Sequence, residues 1–351
     1  MKPMRDALPF NAGHPGNSSS RREMFRFIGC CLAACGVPSS AAPESRDADA
    51  FLEVDLLWDR ASPEKITECA YRVDATVLLL SVPILRRNGV GDARVALRQM
   101  PATGESSSGN RLVLEFAASS DPARAHGLDR MGWIREVVLE KDGAIQRAGV
   151  LGIMSDSPEQ TAEEARTALR NDASVERLVA IDSSFFGGGE RRTRSRVIRF
   201  QAPRGNWTGG EGLPDLARQS FQSSPAAWKE RQWHGEAIPT TFLYALKRSL
   251  EPGGLRSTEY IWNQNRFALR IQREADANAS QEFSTPVDRV RGELENLTQN
   301  LHPIRFQIWI DRESPVPLPL RIEFRPRSFL RLTLEAVHHK LPGQLKTSAA
   351  N

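Results

Sequence analysis

Apolar and polar residues alternate with period two along much of the chain, and the clearest runs lie near its end. Phe306, Ile308 and Ile310, then Leu320, Ile322 and Phe324, then Leu330, Leu332 and Leu334 interleave with Gln307 and Trp309, with Arg321, Glu323 and Arg325, and with Arg331, Thr333 and Glu335. Successive side chains of a strand point to opposite faces, so this pattern predicts three antiparallel strands with one face in an apolar interior and the other in water. Strands are predicted in the same way over 72–81, within 82–100, and over 112–117, 133–140 and 148–154, with Gly143 marking a turn. Tyr260 to Arg273 reads as a hairpin turning at Asn263-Gln264-Asn265, with Phe267, Leu269 and Ile271 on one face.

Two segments switch to the helical period. Ser157-Pro158-Glu159-Gln160 offers an N-cap, a proline at the first helical position and a capping-box partner, which predicts a helix over 157–170. Phe242, Leu243, Leu246 and Leu250 repeat at helical spacing and Pro252-Gly253-Gly254 stops them, which predicts a second helix over 239–250. The expected fold class is therefore mainly β (α+β): a large antiparallel sheet with two or three helices packed on it. Gly187-Gly188-Gly189 reads as a glycine hairpin feeding a solvated, arginine-rich strand. Residues 203–236, with Trp207, Trp228 and Trp233 and little periodicity, read as a surface connector.

The chain has 351 residues, 40% of them hydrophobic and 26% charged, which is enough to bury a sizeable core without disulfides or metals. No apolar run approaches the roughly 18 residues that a membrane-spanning helix requires. The net charge of +4 invites a nucleic-acid reading. Residues 1–34, however, hold Lys2, Arg5, Arg21, Arg22 and Arg26 against Asp6 and Glu23, a net of +3, which leaves +1 for everything else. So small a charge gives no electrostatic argument for DNA or RNA, and no nucleic acid is expected as a partner.

That basic start precedes a short apolar segment. Ser20-Arg21-Arg22-Glu23-Met24-Phe25-Arg26 resembles a twin-arginine export signal, and the stretch that follows, residues 27–34, has the length of a signal-peptide apolar region. Leu32-Ala33-Ala34-Cys35 looks like a bacterial lipobox, in which the Cys35 thiol receives a diacylglycerol and anchors the protein to a membrane. An ordinary peptidase cut after Ala41 or Ala42 is the alternative. The expected layout is a signal peptide over 1–34, a linker over 35–50, a β-rich region over 51–202 and the connector over 203–236. A second β region over 237–340 and a disordered tail over 341–351 complete it. The expected location is the periplasm, or the cell envelope by way of a lipid anchor. Only Cys69 of the four cysteines lies outside the signal zone, so no disulfide framework is expected.

Residues 237–338 resemble the bacterial envelope family catalogued as domain of unknown function 3108. The resemblance is carried by Thr240-Thr241-Phe242-Leu243-Tyr244-Ala245-Leu246-Lys247-Arg248 before Gly253-Gly254, by Ile308-Trp309-Ile310-Asp311, and by Leu318-Pro319-Leu320-Arg321-Ile322-Glu323. It implies an exported protein built on a curved sheet or half-barrel like the LolA/RseB-type lipoprotein carriers, and it implies no catalytic residues. The glycine expected after Thr285-Pro286 is missing, so that hairpin is expected to be remodelled.

Hydrolase, metalloprotease and nucleotide-loop signatures are absent, and His126, His234 and His302 stand alone in sequence. No cofactor and no metal are expected, and the balance leans away from an enzyme. One hypothesis is that the concave face binds a hydrophobic ligand, a lipid or an acylated protein, through Trp262, Phe267, Trp309, Ile322 and Phe324. Another is a structural or protein-interaction module of the envelope. An envelope hydrolase on an unrecognised fold is a lesser third.

Overall fold

The computed structural model describes residues 64–337, leaving aside 101–109, 125–130, 157–174, 187–190, 204–211 and several shorter turns. The predicted signal, lipobox, linker, 157–170 helix, 187–189 glycine hairpin and tail lie outside the described residues, as does His126. The strands are β1 (Glu64–Leu79), β2 (Val82–Met100), β3 (Asn110–Ser120), β4 (Met131–Lys141), β5 (Ala144–Ser155), β6 (Val175–Phe186), β7 (Arg192–Pro203) and β8 (Lys229–Gln232) in the first part. They continue as β9 (Ile238–Pro239), β10 (Ser257–Trp262), β11 (Asn265–Ala275), β12 (Val287–Asn296), β13 (Ile304–Asp311), β14 (Pro319–Arg327) and β15 (Leu330–Ala336). Three helices are described: α1 (Leu213–Ser223), α2 (Phe242–Leu250) and α3 (Ala277–Phe283).

All the strands join one open sheet in the order β8-β7-β6-β5-β4-β3-β2-β1-β15-β14-β13-β12-β11-β10-β9. Every pairing is antiparallel except that of β10 with the two-residue β9. The chain thus lays down two meanders, and β1 pairs with β15 to join them at the centre, from Tyr71 opposite Ala336 to Val77 opposite Leu330. The expected regions 51–202 and 237–340 share this sheet and one apolar interior, in which Tyr71, Ile134 and Val150 of the first pack in the same cluster as Trp262, Phe267 and Ile308 of the second.

The three terminal strands keep the predicted parity at Phe306, Ile308, Ile310, Ile322, Phe324 and Leu334, which face the interior. Leu320, predicted on the same face, packs outside with Trp309 instead, because the β13–β14 register shifts between Trp309 and Ile310. The outer face is not left uniformly to water. On the first meander, Trp133, Val137, Leu151, Ile153, Leu178 and Ile198 form a second apolar layer beneath Leu213, Ala217 and Phe221 of α1.

That layer corrects two expectations. The connector holds a helix, α1, and an edge strand, β8, and Trp233 is buried against Ile261. The arginine-rich strand is β7, and it is not solvated: Thr193, Arg194 and Ser195 are buried. Arg196 lies over the rings of Phe221 and Trp228, each 4.4 Å from the ring centroid, and donates to Asp182 at 2.8 Å, so its guanidinium is paired and stacked beneath the helix. The Thr285-Pro286 connection carries α3, whose N-cap is Asp276.

Trp309 requires a further correction. It belongs to the outward parity of β13 and packs with Ala279, Val287 and Leu320 under α3, away from Trp262, Phe267, Ile322 and Phe324. Its indole N–H donates to the Asp276 carboxylate at 3.2 Å, so it fastens the α3 cap to the outside of the sheet.

Candidate functional site

The concave face is where a ligand was expected, and α2 lies on it. Phe242 meets the edge of Phe306 with centroids 5.5 Å apart, and Tyr244 and Ala245 are wholly enclosed. Tyr260 stacks on Phe267 at 5.1 Å. Trp262, Phe267, Ile322 and Phe324, four of the five residues expected to line a ligand site, are buried members of the same packed cluster. The Trp262 indole N–H meets no acceptor among the described residues.

What holds α2 in place is a carboxylate. Glu136 takes the inward parity of β4 between Ile134 and Val138, and it is fully buried. One of its oxygens accepts the Thr240 hydroxyl at 2.5 Å and the Thr241 N–H at 2.8 Å. The other accepts the Thr241 hydroxyl and, at 3.2 Å, the Tyr244 N–H. Thr241 is also the N-cap of α2, accepting from the Leu243 N–H at 3.1 Å. A helix start leaves backbone N–H groups without intrahelical partners and carries partial positive charge, so a buried anion there satisfies both.

Four positions along β4, Glu140 accepts from the Tyr244 hydroxyl and lies 3.5 Å from Arg248. Burial, with the Glu140 hydrogen bond added, pushes the Tyr244 phenol well above its usual range. Burial also raises the Glu136 carboxyl, outweighing the donors that favour its charged form. Both Glu136 oxygens are occupied by the helix they cap, so this group is a structural clamp and not a proton carrier.

No arrangement for nucleophilic catalysis forms among the described residues. His234 and His302 are exposed. Asp182 pairs with Arg196 on the outer face, whereas Ser183, the next residue, points to the inner one. Asp311 accepts the Thr285 hydroxyl at 3.1 Å and the Glu313 N–H at 2.9 Å, which is turn chemistry. Burial pushes the Cys69 thiol up, away from an activated thiolate. No group of three metal-ligating side chains is found among the described residues, and no helix there is long and apolar enough to cross a membrane.

Two surface features remain. A groove of about 620 Å³ crosses β11 to β15, where Arg270, Arg291, Arg305, Arg325 and Arg331 stand beside Glu293 and Glu323. Most of these arginines are paired across the strands, as Arg305 is with Glu293 at 3.1 Å and Arg270 with Glu295 at 2.8 Å.

The second is the end of the β1–β2 hairpin. Cross-strand pairing with β15 stops at Val77 and pairing with β3 stops at Gly91, so the end of the hairpin overhangs the sheet. Four of its apolar side chains lie in water, Leu79 at 61% exposed, Val82 at 61%, Ile84 at 60% and Leu85 at 48%, whereas Leu78 is buried. Arg86 and Arg87 follow, both exposed.

The base of this hairpin is fixed by Asp74, which is buried opposite a bulge in β2. Its carboxylate accepts the Gly89 N–H at 2.7 Å, Arg86 at 2.9 Å and Arg72 at 3.2 Å. Burial alone would raise the Asp74 carboxyl, but these donors outweigh it and hold it below the usual carboxylate range. Gly89 has φ +61°, a left-handed conformation that suits glycine. Neither the clamp nor the exposed tip was singled out from the sequence. An isolated glutamate at an inward position of an apolar strand, and apolar residues on both parities of Val82 to Leu85, were the signals available.

No family model matches the chain, and no curated protein matches it. Among solved structures, the chain is similar to a β-barrel-like protein of domain of unknown function DUF1849 from Brucella abortus, at 11% identity and a TM-score of 0.39, over 79% of this chain and 98% of that one.

Proposed function

We propose that this is an exported cell-envelope protein that acts as a non-catalytic structural or interaction module, working from its surface. The observation that supports this most directly is α2 on the concave face, clamped by Glu136 and packed among Trp262, Phe267, Phe306 and Phe324, where a carrier would keep room for its cargo. The Arg21-Arg22 signal supports export, and the sequence around Cys35 supports a lipid anchor. The likeness of residues 237–338 to the domain of unknown function 3108 family belongs to the same reading.

A second reading, transport of a hydrophobic ligand, has the unmatched indole N–H of Trp262 in its favour, since the carbonyl or carboxyl oxygen of an acyl group would satisfy it. Native and denaturing mass spectrometry of the full chain, recovered from a bacterial envelope, separates the two. The module reading expects the same mass in both, with any diacylglyceryl group at Cys35 retained on denaturation because it is covalent. An adduct of lipid mass that disappears on denaturation would overturn it in favour of a carrier.

A further inference from the structure

The six exposed large hydrophobic side chains of the described residues are unevenly placed, and four of them, Leu79, Val82, Ile84 and Leu85, sit on the end of one hairpin. We propose that this hairpin end docks on an anionic lipid bilayer, with the apolar tip in the interface and Arg86 and Arg87 at the headgroups. The inference rests on the module reading and names the surface through which the module works.

The exposed apolar side chains gather on one side of the hairpin end. The register pairs Leu79 with Val82 and Val77 with Leu85, so Leu79, Val82 and Leu85 face the same way, and Ile84 stands in the bulge beside Leu85. Leu78, paired with Pro83 on the opposite side, is buried. A projecting hairpin with one apolar side and basic residues behind it can lie in a membrane interface with that side down. The overhanging strands pair only with each other, so their outer backbone groups keep to the hydrated headgroup level and only the side chains reach the acyl boundary; Ser81 makes the turn at φ 71°.

Charge points the same way. From Leu79 to Val90 the chain carries Arg86 and Arg87 and no acidic residue. The two arginines follow the apolar residues directly, at the level where phosphate headgroups would meet them. Asp74 holds Arg86 and the Gly89 backbone, so the projection leaves the sheet at a set angle.

The test is flotation of the full chain, with Cys35→Ser to remove any acyl anchor, on vesicles of phosphatidylcholine alone and on vesicles containing phosphatidylglycerol. A companion chain carries Leu79→Ser, Val82→Ser, Ile84→Ser and Leu85→Ser in addition. These positions are exposed, so the change leaves the fold intact, which a melting curve checks. Binding to the anionic vesicles should fall on the order of a hundredfold in the companion chain. Arg87→Gln should weaken binding to the anionic vesicles about fivefold and leave binding to the neutral ones unchanged.

Equal flotation of the two chains would overturn the proposal. So would tip-dependent self-association without vesicles, which would make a second copy the occupant. Loss of vesicle binding leaves the interior as it is, whereas a lipid adduct that disappears on denaturation speaks only against the module reading, so the two failures are distinguishable.

Discussion

Replacing Glu136 with alanine tests whether α2 is held by a buried charge or merely rests on the sheet. The substitution strands the Thr241 and Tyr244 N–H groups, which are fixed in direction by the helix and sealed from water. Each unsatisfied buried donor costs about 1–3 kcal/mol. Loss of the negative charge at the helix start adds roughly 0.3–1 kcal/mol. The Thr240 and Thr241 hydroxyls can rotate, and removing a carboxylate that burial already disfavours returns part of the loss. The net destabilisation is then about 3–5 kcal/mol, the range found when one partner of a buried charged network is removed.

For a sheet of this size that corresponds to a fall in Tm of roughly 10 °C. Thermal melting followed by far-ultraviolet circular dichroism, with urea unfolding alongside, measures it. Glu140→Gln is the control, since it keeps an acceptor for the Tyr244 hydroxyl and should shift Tm far less. If Glu136→Ala melted within about 2 °C of the parent, a shift corresponding to no more than about 1 kcal/mol, the clamp would not be holding the helix.

Other consequences can be measured with the same assays. Gly292→Ala would place a methyl group 1.9 Å from the Phe306 ring, and should cost about 1–3 kcal/mol in urea unfolding by driving that ring off Phe242. Ile322→Arg puts an unpaired charge into the shared interior and should leave no cooperative melting transition, whereas a normal melt would refute the register of β14. Burial alone would raise the Asp288 carboxyl, but Arg312 and Arg273 outweigh it and hold the group below its usual range. Its stabilisation is therefore present above the ordinary aspartate pKa and lost as pH falls through the lowered value. Asp288→Asn should melt below the parent at pH 7, and the two Tm values should converge as the pH falls below the ordinary aspartate pKa and through the lowered one.

The strands β13, β14 and β15 were legible in the sequence because each has a dry face and, away from the patch under α3, a wet one, so period two is written into residue type except at Trp309 and Leu320. The same rule misled at β7, where alternating arginines suggested water on one side. That side is covered by α1, and Arg196 is compatible with burial because Asp182 neutralises it and Phe221 and Trp228 flank it. α1 itself was hidden in a segment dominated by glycine, proline and tryptophan. Trp309 was grouped with interior residues on aromatic character, although its parity already placed it outside. The Glu136 clamp joins residues more than 100 positions apart, and no local pattern couples a strand glutamate to a distant Thr-Thr pair.

The pairing of β1 with β15 also governs the order in which the molecule can be completed. Arg72 and Glu335, ion-paired across that seam, are 263 positions apart. Each meander can assemble from neighbouring hairpins while the chain is still being synthesised, because those pairings are local. The seam must wait for the final strand, which leaves the bare edge of β1 exposed to pairing with other chains until then. Loss of the last few strand residues would therefore not trim a rim. It would part the sheet through its middle and leave two open edges where the intact protein has an interior.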